Sequence, residues 1–332
     1  MAQLHGQERH PSYVGPPTFL GCPFAATVED LRSLKADVAV LGAPVDMGVV
    51  NRPGARFGPQ AIRQADYFGR PAEDIYHMDL DVYPLQVLRV ADFGDAYCPP
   101  SSLEKSHQAV ERKVTQALEA GAIPLVLGGD HSITLPSATA VARRYGFGQV
   151  GIVHFDAHAD TGPASYGGVL IAHGSPMRRL IESGAVPGRN FVQVGLRGYW
   201  PDRQVFAWMR EQGMRWHTMD DILRRGMEAV LEEAVAQALD GPRYIYLSVD
   251  IDVLDPAYAP GTGTPEPGGL ATAQLLRAVR RVATAVDLVA ADVVEVSPAY
   301  DGPGQGAAWA AHRVALEVIS SLAWRRLHAN LP

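Results

Sequence analysis

Cysteine is scarce in this chain, since only Cys22 and Cys98 occur among its 332 residues. Two cysteines cannot form the disulfide framework of a small secreted protein, so we interpret both as reduced thiols. Long apolar runs are missing as well. No stretch approaches the roughly 18 consecutive apolar residues that a transmembrane helix needs. The polar start, Met1 to Pro11, does not resemble a secretory signal peptide. We therefore expect a cytoplasmic protein that does not bind membranes.

An excess of positive charge is also missing. The chain has 29 Lys and Arg against 36 Asp and Glu, which gives a formal net charge of −7 with histidine neutral. A nucleic-acid surface needs clustered Lys and Arg, so this balance argues against a nucleic-acid partner. Hydrophobic residues make up 47% of the chain and charged residues 20%, which is an ordinary globular composition.

Apolar strand-like runs alternate with helical patterns along the chain, and this alternation predicts an α/β fold with a parallel sheet covered on both faces. The predicted strands are Asp37–Leu41, Ile123–Leu127, Val150–Phe155, Phe191–Val194, Tyr244–Val249 and Leu288–Val296. The predicted helices are Ser102–Ala120, Ser132–Tyr145, Pro201–Gln212, Asp220–Leu239, Leu270–Ala285 and Ala307–Leu327. No composition shift divides residues 37–332, so we expect one domain there. Four prolines (Pro11, Pro16, Pro17 and Pro23) predict an irregular N-terminal arm over residues 1–36.

Polar residues concentrate where predicted strands end, which is where parallel sheets bind ligands. Asp156, His158 and Asp160 follow one strand with the alternate spacing that places side chains on one face of an extended segment. Asp250 and Asp252 repeat this spacing after another strand. One such cluster alone is most simply a solvated loop. Two clusters at the ends of buried strands indicate a cation, since buried carboxylates otherwise repel each other and lose hydration.

The charges of these groups suit two divalent ions. Four aspartates supply −4, two divalent cations supply +4, and His131 and His158 bring the ligand side chains to six. Oxygen and imidazole ligands without thiolate favour Mn²⁺ or a similar ion over structural zinc. Two ions that share a water would lower its pKa toward neutrality and orient it for attack.

These segments resemble the signature blocks of the ureohydrolase family, which comprises arginases, agmatinases and related amidinohydrolases. The resemblance covers nearly the whole chain from about Val38, and it is greatest to the agmatinase-like branch. The blocks that carry it are GGDHS at 128–132, DAHAD at 156–160, SVDIDVLDPAYAPGTGTPEPGG at 248–269, RPGARFGPQAIR at 52–63, AHGSP at 172–176 and EVSP at 295–298.

The resemblance implies a three-layer α/β/α fold with a mostly parallel sheet of about eight strands. It also implies two divalent ions per subunit, Mn²⁺ by expectation, although Ni²⁺ or Co²⁺ would suit the same ligands. One ion would be held by His131, Asp156, Asp160 and Asp250, and the other by Asp156, His158, Asp250 and Asp252. The family assembles into homotrimers or homohexamers, so we expect one of these states.

The resemblance further implies the hydrolysis of a guanidino group to urea and an amine. Asp160 would accept a hydrogen bond from the attacking water-derived nucleophile, and Glu295 would pair with the guanidinium. His173 would pass a proton to the leaving amine, although its place before a helix also allows a capping or packing role. His154 lies one step deeper than Asp156, which favours a supporting role over ligation.

The substrate tail is left open by these motifs. An agmatinase-like activity is our first expectation. Hydrolysis of 4-guanidinobutyrate, 3-guanidinopropionate, free guanidine or small substituted guanidines is the alternative. Tyr199, Trp200 and Trp309 either shorten the pocket or belong to the core or an interface. In arginases an Asn stands two residues beyond the last Asp of the Asp-x-His-x-Asp block and binds the α-carboxylate. Gly162 stands there in this chain, so we expect arginine to be a poor substrate.

Two other classes of protein are weighed against this interpretation. A metal-dependent deacetylase shares the broad fold and an Asp-x-His pair, but the chain contains no His-His dyad. A non-catalytic subunit of a hydrolase would have lost metal ligands, whereas all six are intact here. Arg52, Arg56 and Arg63 are interpreted as structural or subunit-contact residues.

Overall fold

The computed structural model describes residues 17–67 and 72–328, and its centre is one parallel sheet. Eight strands are found in this part of the chain, in the order β2-β1-β3-β8-β7-β4-β5-β6. Every neighbouring pair runs parallel. The strands are β1 (Val38–Ala43), β2 (Val90–Asp95), β3 (Ile123–Gly128), β4 (Val150–Phe155), β5 (Phe191–Leu196), β6 (Arg215–Thr218), β7 (Tyr244–Asp250) and β8 (Asp287–Val294).

Helices cover both faces of this sheet, and successive residues of a strand serve opposite faces. In β1, Val38 and Val40 pack into one core and Ala39 and Leu41 into the other. This confirms the predicted three-layer architecture. The helices are α1 (Val28–Leu34), α2 (Gly58–Gln64), α3 (Pro84–Val87), α4 (Leu103–Glu119), α5 (Thr134–Tyr145), α6 (Pro176–Glu182), α7 (Arg203–Glu211), α8 (Met219–Arg225), α9 (Met227–Leu239), α10 (Thr272–Ala285) and α11 (Gly306–His328).

The six predicted strands are all present, but two further strands were missed, and both lie at an edge of the sheet. The edge strand β2 contains two aspartates and a glycine, residues that are rare in strands. The other edge strand, β6, has four residues and little apolar character. Edge strands gain less from burial, so the apolar pattern that revealed the central strands is weak in them.

Two helical predictions need correction. The predicted helix Asp220–Leu239 is two helices, α8 and α9, because Gly226 between them has φ +83° and ends the first. Residues 17–36 of the predicted irregular arm contain helix α1, capped by the Thr27 hydroxyl, which accepts from the Asp30 N–H. Proline does not prevent this helix, since the last proline of the arm, Pro23, precedes it. Residues 1–16 lie outside the described chain.

A buried ion pair ties helix α2 to edge strand β2. The Arg63 guanidinium donates two hydrogen bonds to Asp92, at 2.8 and 3.0 Å, and a third to Asp95 at 2.6 Å. Asp92 also accepts the backbone N–H of Phe19 at 2.8 Å, which fastens the segment before α1 to the same group. The interpretation of Arg63 as structural is therefore consistent with its contacts. In the described residues we find no helix long and apolar enough to cross a membrane.

We expect Arg63→Ala to lower the free energy of unfolding by about 3–5 kcal/mol, because it leaves the Asp92 carboxylate buried without its cation. Urea unfolding followed by circular dichroism measures this change. The control is Arg32→Ala, which removes an exposed pair with Glu29 and should cost less than about 1 kcal/mol. Equal losses in the two variants would contradict the assignment.

Candidate active site

Four adjacent central strands, β3, β8, β7 and β4, bring the predicted site residues to one edge of the sheet. The polar residues lie at or just after the carboxyl end of each strand. These ends are neighbours at one edge of the sheet although they are far apart in sequence. β4 is followed by Asp156, β7 ends with Asp250, and β8 is followed by Glu295. His131 begins the short 3-10 turn His131–Ile133 after β3.

His131 lies at the centre of one group of carboxylates. Its Nδ1 is 3.1 Å from Asp156 Oδ2, 3.0 Å from Asp160 Oδ2 and 3.1 Å from Asp250 Oδ2. All four side chains are buried. One ring nitrogen carries at most one proton, so it cannot satisfy three carboxylate oxygens by hydrogen bonding. Three carboxylate oxygens therefore lie around one nitrogen, and one imidazole does not supply enough positive charge to compensate them.

His158 forms a second group that shares Asp156 with the first. Its Nδ1 is 3.0 Å from Asp252 Oδ2 and 3.5 Å from Asp156 Oδ1. The ligand atoms of Asp156, His158 and Asp252 lie within 4.8 Å of one another, a spacing that could hold a metal ion. The structure thus brings together all six predicted ligands, as two clusters joined through a carboxylate that can face both.

The pKa values of these groups report the same crowding. Burial raises the pKa of Asp250 well above its usual range, and the nearby Asp252 and Asp156 charges raise it further. Burial likewise raises the pKa of Asp252. Burial would lower the pKa of His158, but the charges of Asp252 and Asp156 outweigh it and raise that pKa to about 12. Such a donor set of carboxylates and imidazoles fits divalent cations, which would neutralise the carboxylates without protonation.

His154 is near the first cluster, but its hydrogen bonds indicate support rather than ligation. The Gln193 amide donates to His154 Nδ1 at 2.8 Å and to the Ala159 carbonyl at 2.8 Å. Because Nδ1 accepts, the ring proton is on Nε2, which donates to Asp156 Oδ2 at 2.8 Å. This arrangement agrees with the supporting role predicted for His154.

His173 and Glu295 form a buried pair beside the two clusters. His173 Nδ1 lies 3.0 Å from Glu295 Oε1, which also accepts the backbone N–H of His131 at 2.8 Å. Burial opposes the charged ring, but Glu295, and then Asp160 and Asp130, outweigh it and raise the pKa of His173 to about 9. The backbone N–H of Val50 acts against this, since it donates to His173 Nε2 at 3.2 Å and so favours the neutral ring.

Glu295 has a second oxygen that is directed to no partner. Its Oε2 is buried and has no hydrogen-bond partner in the part of the chain that the structure describes. The residue also has φ +65°, a left-handed conformation that costs a non-glycine residue energy and is common at functional sites. Asp160 shares this feature with φ +53°. Both residues thus have strained backbone conformations, Asp160 within the first cluster and Glu295 beside it.

A cavity of about 550 Å³ is lined by residues of both clusters and by His173. The residues of its wall that bear on the chemistry are His158, Asp160, His173, Trp200, Asp250 and Thr264. Of the three aromatic residues proposed to shorten the pocket, Trp200 lines the cavity. Tyr199 is fully exposed, and Trp309 packs against Tyr67.

The loop after β1, residues 44–52, contributes Val50 to the wall of the cavity, and Asp130 holds this loop. The Asp130 carboxylate accepts the N–H groups of Gly48 and Ser132, at 2.8 and 3.0 Å. The His173 N–H in turn donates to the Gly48 carbonyl at 3.0 Å. A Cβ on Gly48 would lie 3.0 Å from the His173 nitrogen, so this close approach favours glycine. Asp130 therefore fixes this loop beside His131 and His173.

Several supporting residues were not predicted. Ser248 lies 2.9 Å from His131 Nε2, and Asp292 accepts the Ser248 hydroxyl at 2.7 Å. Ser248 could have been found, because it is two residues before Asp250 and so shares its face of β7. Asp292 and Gln193 carry no such signal, since their partners lie on other strands.

Comparison with known proteins identifies the class to which this fold and site belong. Residues 36–320 match the sequence profile of the Arginase family, so the chain belongs to that family. It is 42% identical over 296 residues to guanidinopropionase from Pseudomonas aeruginosa, which covers 89% of this chain and 88% of that protein. It is 40% identical over 296 residues to mitochondrial agmatinase from Gallus gallus, which covers 89% and 82%.

The solved structures agree with this membership. Proclavaminate amidino hydrolase from Streptomyces clavuligerus superimposes with a TM-score of 0.82 at 35% identity, over 95% of this chain and 99% of that one. The chain is therefore an enzyme of the ureohydrolase and amidinohydrolase type that acts on guanidino compounds. The deacetylase and non-catalytic alternatives are thereby set aside.

We expect Asp252→Ala to reduce bound metal and to lower urea release by orders of magnitude, because His158 and Asp156 then lose the third ligand of their cluster. Elemental analysis of the purified protein counts the ions, and a urea assay follows turnover. Asp220→Ala, which removes an exposed carboxylate, is the control. Near-normal urea release by Asp252→Ala with added manganese would contradict a two-ion site.

Proposed function

We propose that this protein hydrolyses the guanidino group of a small guanidino compound to urea and an amine, with agmatine-like substrates as the first expectation. Guanidinobutyrase, guanidinopropionase and small-guanidine hydrolase activities are equally compatible with the relatives. The observation that carries the proposal is the pair of His/Asp clusters that share Asp156, beside the His173–Glu295 pair and a cavity of about 550 Å³.

The six ligands are proposed to hold two divalent cations. His131, Asp156, Asp160 and Asp250 would hold one, and Asp156, His158, Asp250 and Asp252 the other. Carboxylate and imidazole donors suit Mn²⁺ first and Ni²⁺ or Co²⁺ next. When bound, such a pair of cations lowers the pKa of a shared water and orients it toward the substrate carbon. Asp160 would also accept a hydrogen bond from that water.

Glu295 is proposed to bind the substrate guanidinium. Its Oε1 is already used by His131 and His173, whereas Oε2 lacks a partner among the described residues. An unpaired buried carboxylate oxygen is costly, and a guanidinium N–H is a donor of matching charge. The strained backbone at Glu295, with φ +65°, supports this role, because such conformations are common at functional sites.

His173 is proposed to deliver the proton that the leaving amine needs. Hydrolysis adds water to the guanidinium carbon, breaks the bond to the amine nitrogen, and requires that nitrogen to be protonated as it leaves. The raised pKa near 9 keeps a proton available on His173 at neutral pH. Delivery through Nε2 requires the Val50 N–H to move aside, since two donors cannot face each other.

We expect His173→Ala to lower kcat by roughly 10²–10⁴-fold, the usual contribution of a positioned acid or base. The content of bound metal should stay unchanged, which separates proton transfer from ligation. His217→Ala is the matched control, because it removes another buried histidine, one bonded to Gln237. A loss of metal in His173→Ala would show a structural or ligand role instead.

Trp200 is proposed to select the substrate tail together with two glycines. A Cβ on Gly162 would lie 3.2 Å from Trp200 Cζ2 and 2.9 Å from the Gly174 carbonyl oxygen. A Cβ on Gly174 would lie 3.5 Å from the same indole. The position where arginases carry a carboxylate-binding Asn thus has no side chain in this protein, and the indole packs over it.

We expect L-arginine to be a poor substrate, because its α-carboxylate finds no Asn at position 162. A site that leaves polar groups unpaired can discriminate by about 10⁴-fold, as an upper expectation. The measurement is kcat/KM for arginine, agmatine, 4-guanidinobutyrate, 3-guanidinopropionate and guanidine under one condition. If arginine gives the highest value, another segment supplies the specificity and the role of Gly162 is wrong.

The remaining expectations concern the whole protein. We propose that residues 37–332 act as one catalytic domain and that the chain assembles as a homotrimer or homohexamer. Light scattering distinguishes these states from a monomer of 35.7 kDa. The cytoplasmic location stays a prediction.

A further inference from the structure

We propose that Ser248 and Asp292 are positioning residues that fix which nitrogen of His131 carries the proton, and thereby prepare His131 to bind a cation. The inference rests on the proposed function, because it takes His131 Nδ1 to be a metal ligand. Asp292 lies inside β8, three residues before Glu295 and outside the sequence blocks that carry the family resemblance.

The three residues form a line of hydrogen bonds that leads away from the site. Ser248 and Asp292 are register partners on β7 and β8, and both are fully buried. The Ser248 hydroxyl donates to Asp292 Oδ1 at 2.7 Å. His131 Nε2 lies 2.9 Å from the same hydroxyl oxygen. The other ring nitrogen, Nδ1, faces the carboxylates of the first cluster.

The Asp292 carboxylate acts only as an acceptor, since three hydroxyl groups donate hydrogen bonds to it. Besides Ser248, the Tyr246 hydroxyl donates to Oδ2 at 2.6 Å and the Thr134 hydroxyl at 2.7 Å. All of these side chains are fully buried. Each hydroxyl has one proton to give, and each gives it to the same carboxylate. The direction of the Ser248 hydrogen bond is therefore set by Asp292.

That direction decides the state of His131. The Ser248 hydroxyl donates its only proton to Asp292, so its oxygen can only accept a hydrogen bond from His131. The His131 ring must therefore carry a proton on Nε2. A neutral imidazole with its proton on Nε2 has its lone pair on Nδ1, which is the nitrogen among the carboxylates. The opposite tautomer would lose the bond to Ser248 and present a proton where a cation should bind.

The test removes the acceptor. We expect Ser248→Ala to weaken Mn²⁺ binding by about 10–100-fold in calorimetric titration, the usual effect of losing such a partner. With Zn²⁺ as a diamagnetic probe, the Nε2 proton of His131 should give a downfield, slowly exchanging NMR signal in the wild type. This signal should move upfield and exchange faster in Ser248→Ala. Asp292→Asn should also weaken Mn²⁺ binding, because an amide can donate to Ser248 as well as accept.

Two matched controls separate this role from simple stabilisation. Tyr246→Phe and Thr134→Val each remove one buried hydroxyl bond to Asp292 but leave the line from Asp292 to His131 intact. We expect both to lower the melting temperature and to keep the wild-type affinity for Mn²⁺. If Ser248→Ala does not fold, the same measurements are made on Ser248→Cys, which has a similar side-chain volume and whose sulfur is a weak acceptor. Ser248→Thr, which keeps the hydroxyl, should restore binding.

The inference is overturned if Ser248→Ala and Asp292→Asn bind Mn²⁺ like the wild type, or if the two controls lose as much affinity as these variants. A wild-type protein that binds no Mn²⁺, Ni²⁺ or Co²⁺ would instead overturn the proposed metal centre, and this inference with it. Wild-type stoichiometry is measured first, so the two failures are distinguishable.

Discussion

The repulsion among buried carboxylates at the end of the central strands is the constraint on which the site depends. Asp156, Asp160 and Asp250 all approach one nitrogen of His131, and Asp156 also serves the cluster of His158 and Asp252. Removing such charges from water is favourable only when cations, donors or protons compensate them. The surrounding structure supplies donors: the Asp252 N–H bonds Asp250, the His158 N–H bonds Asp156, and the Ala157 N–H bonds Asp252.

The parallel sheet makes this concentration of charge possible. All strands end on the same side, so the loops that follow four of them meet there although long stretches of sequence separate them. The apolar interiors of the strands, such as Leu247 and Val249 in β7, anchor each loop in a rigid core. Rigid attachment matters because a metal ligand that is displaced even slightly loses its coordination geometry.

The sequence reveals those parts of the molecule that repeat a local pattern. Continuous apolar runs identified the central strands, and the i, i+2 spacing singled out Asp156 with His158 and Asp250 with Asp252. The extended conformation assumed for that spacing does not hold at Asp252, which lies in the 3-10 turn Ile251–Val253. Edge strand β2 escaped because its stability comes partly from the Arg63–Asp92 pair, a contact across 29 residues. Asp292, Gln193 and the Val50 N–H escaped for the same reason: their partners are set by tertiary packing, which no spacing along the chain encodes. The residues that would contact the substrate tail are likewise brought together by tertiary packing, so the sequence does not identify the tail.

The packing of Trp200 against Gly162 and Gly174 has a consequence for how this enzyme could change its specificity. A side chain at position 162 meets the Gly174 carbonyl and the indole together, so a single substitution there disturbs two neighbours before it can contact any ligand. An amino-acid head group could be accommodated only if the indole and the glycine were replaced in concert. The effects of substitutions at these three positions are therefore expected to be coupled. A wider range of substrates would require paired substitutions, because single ones would not suffice.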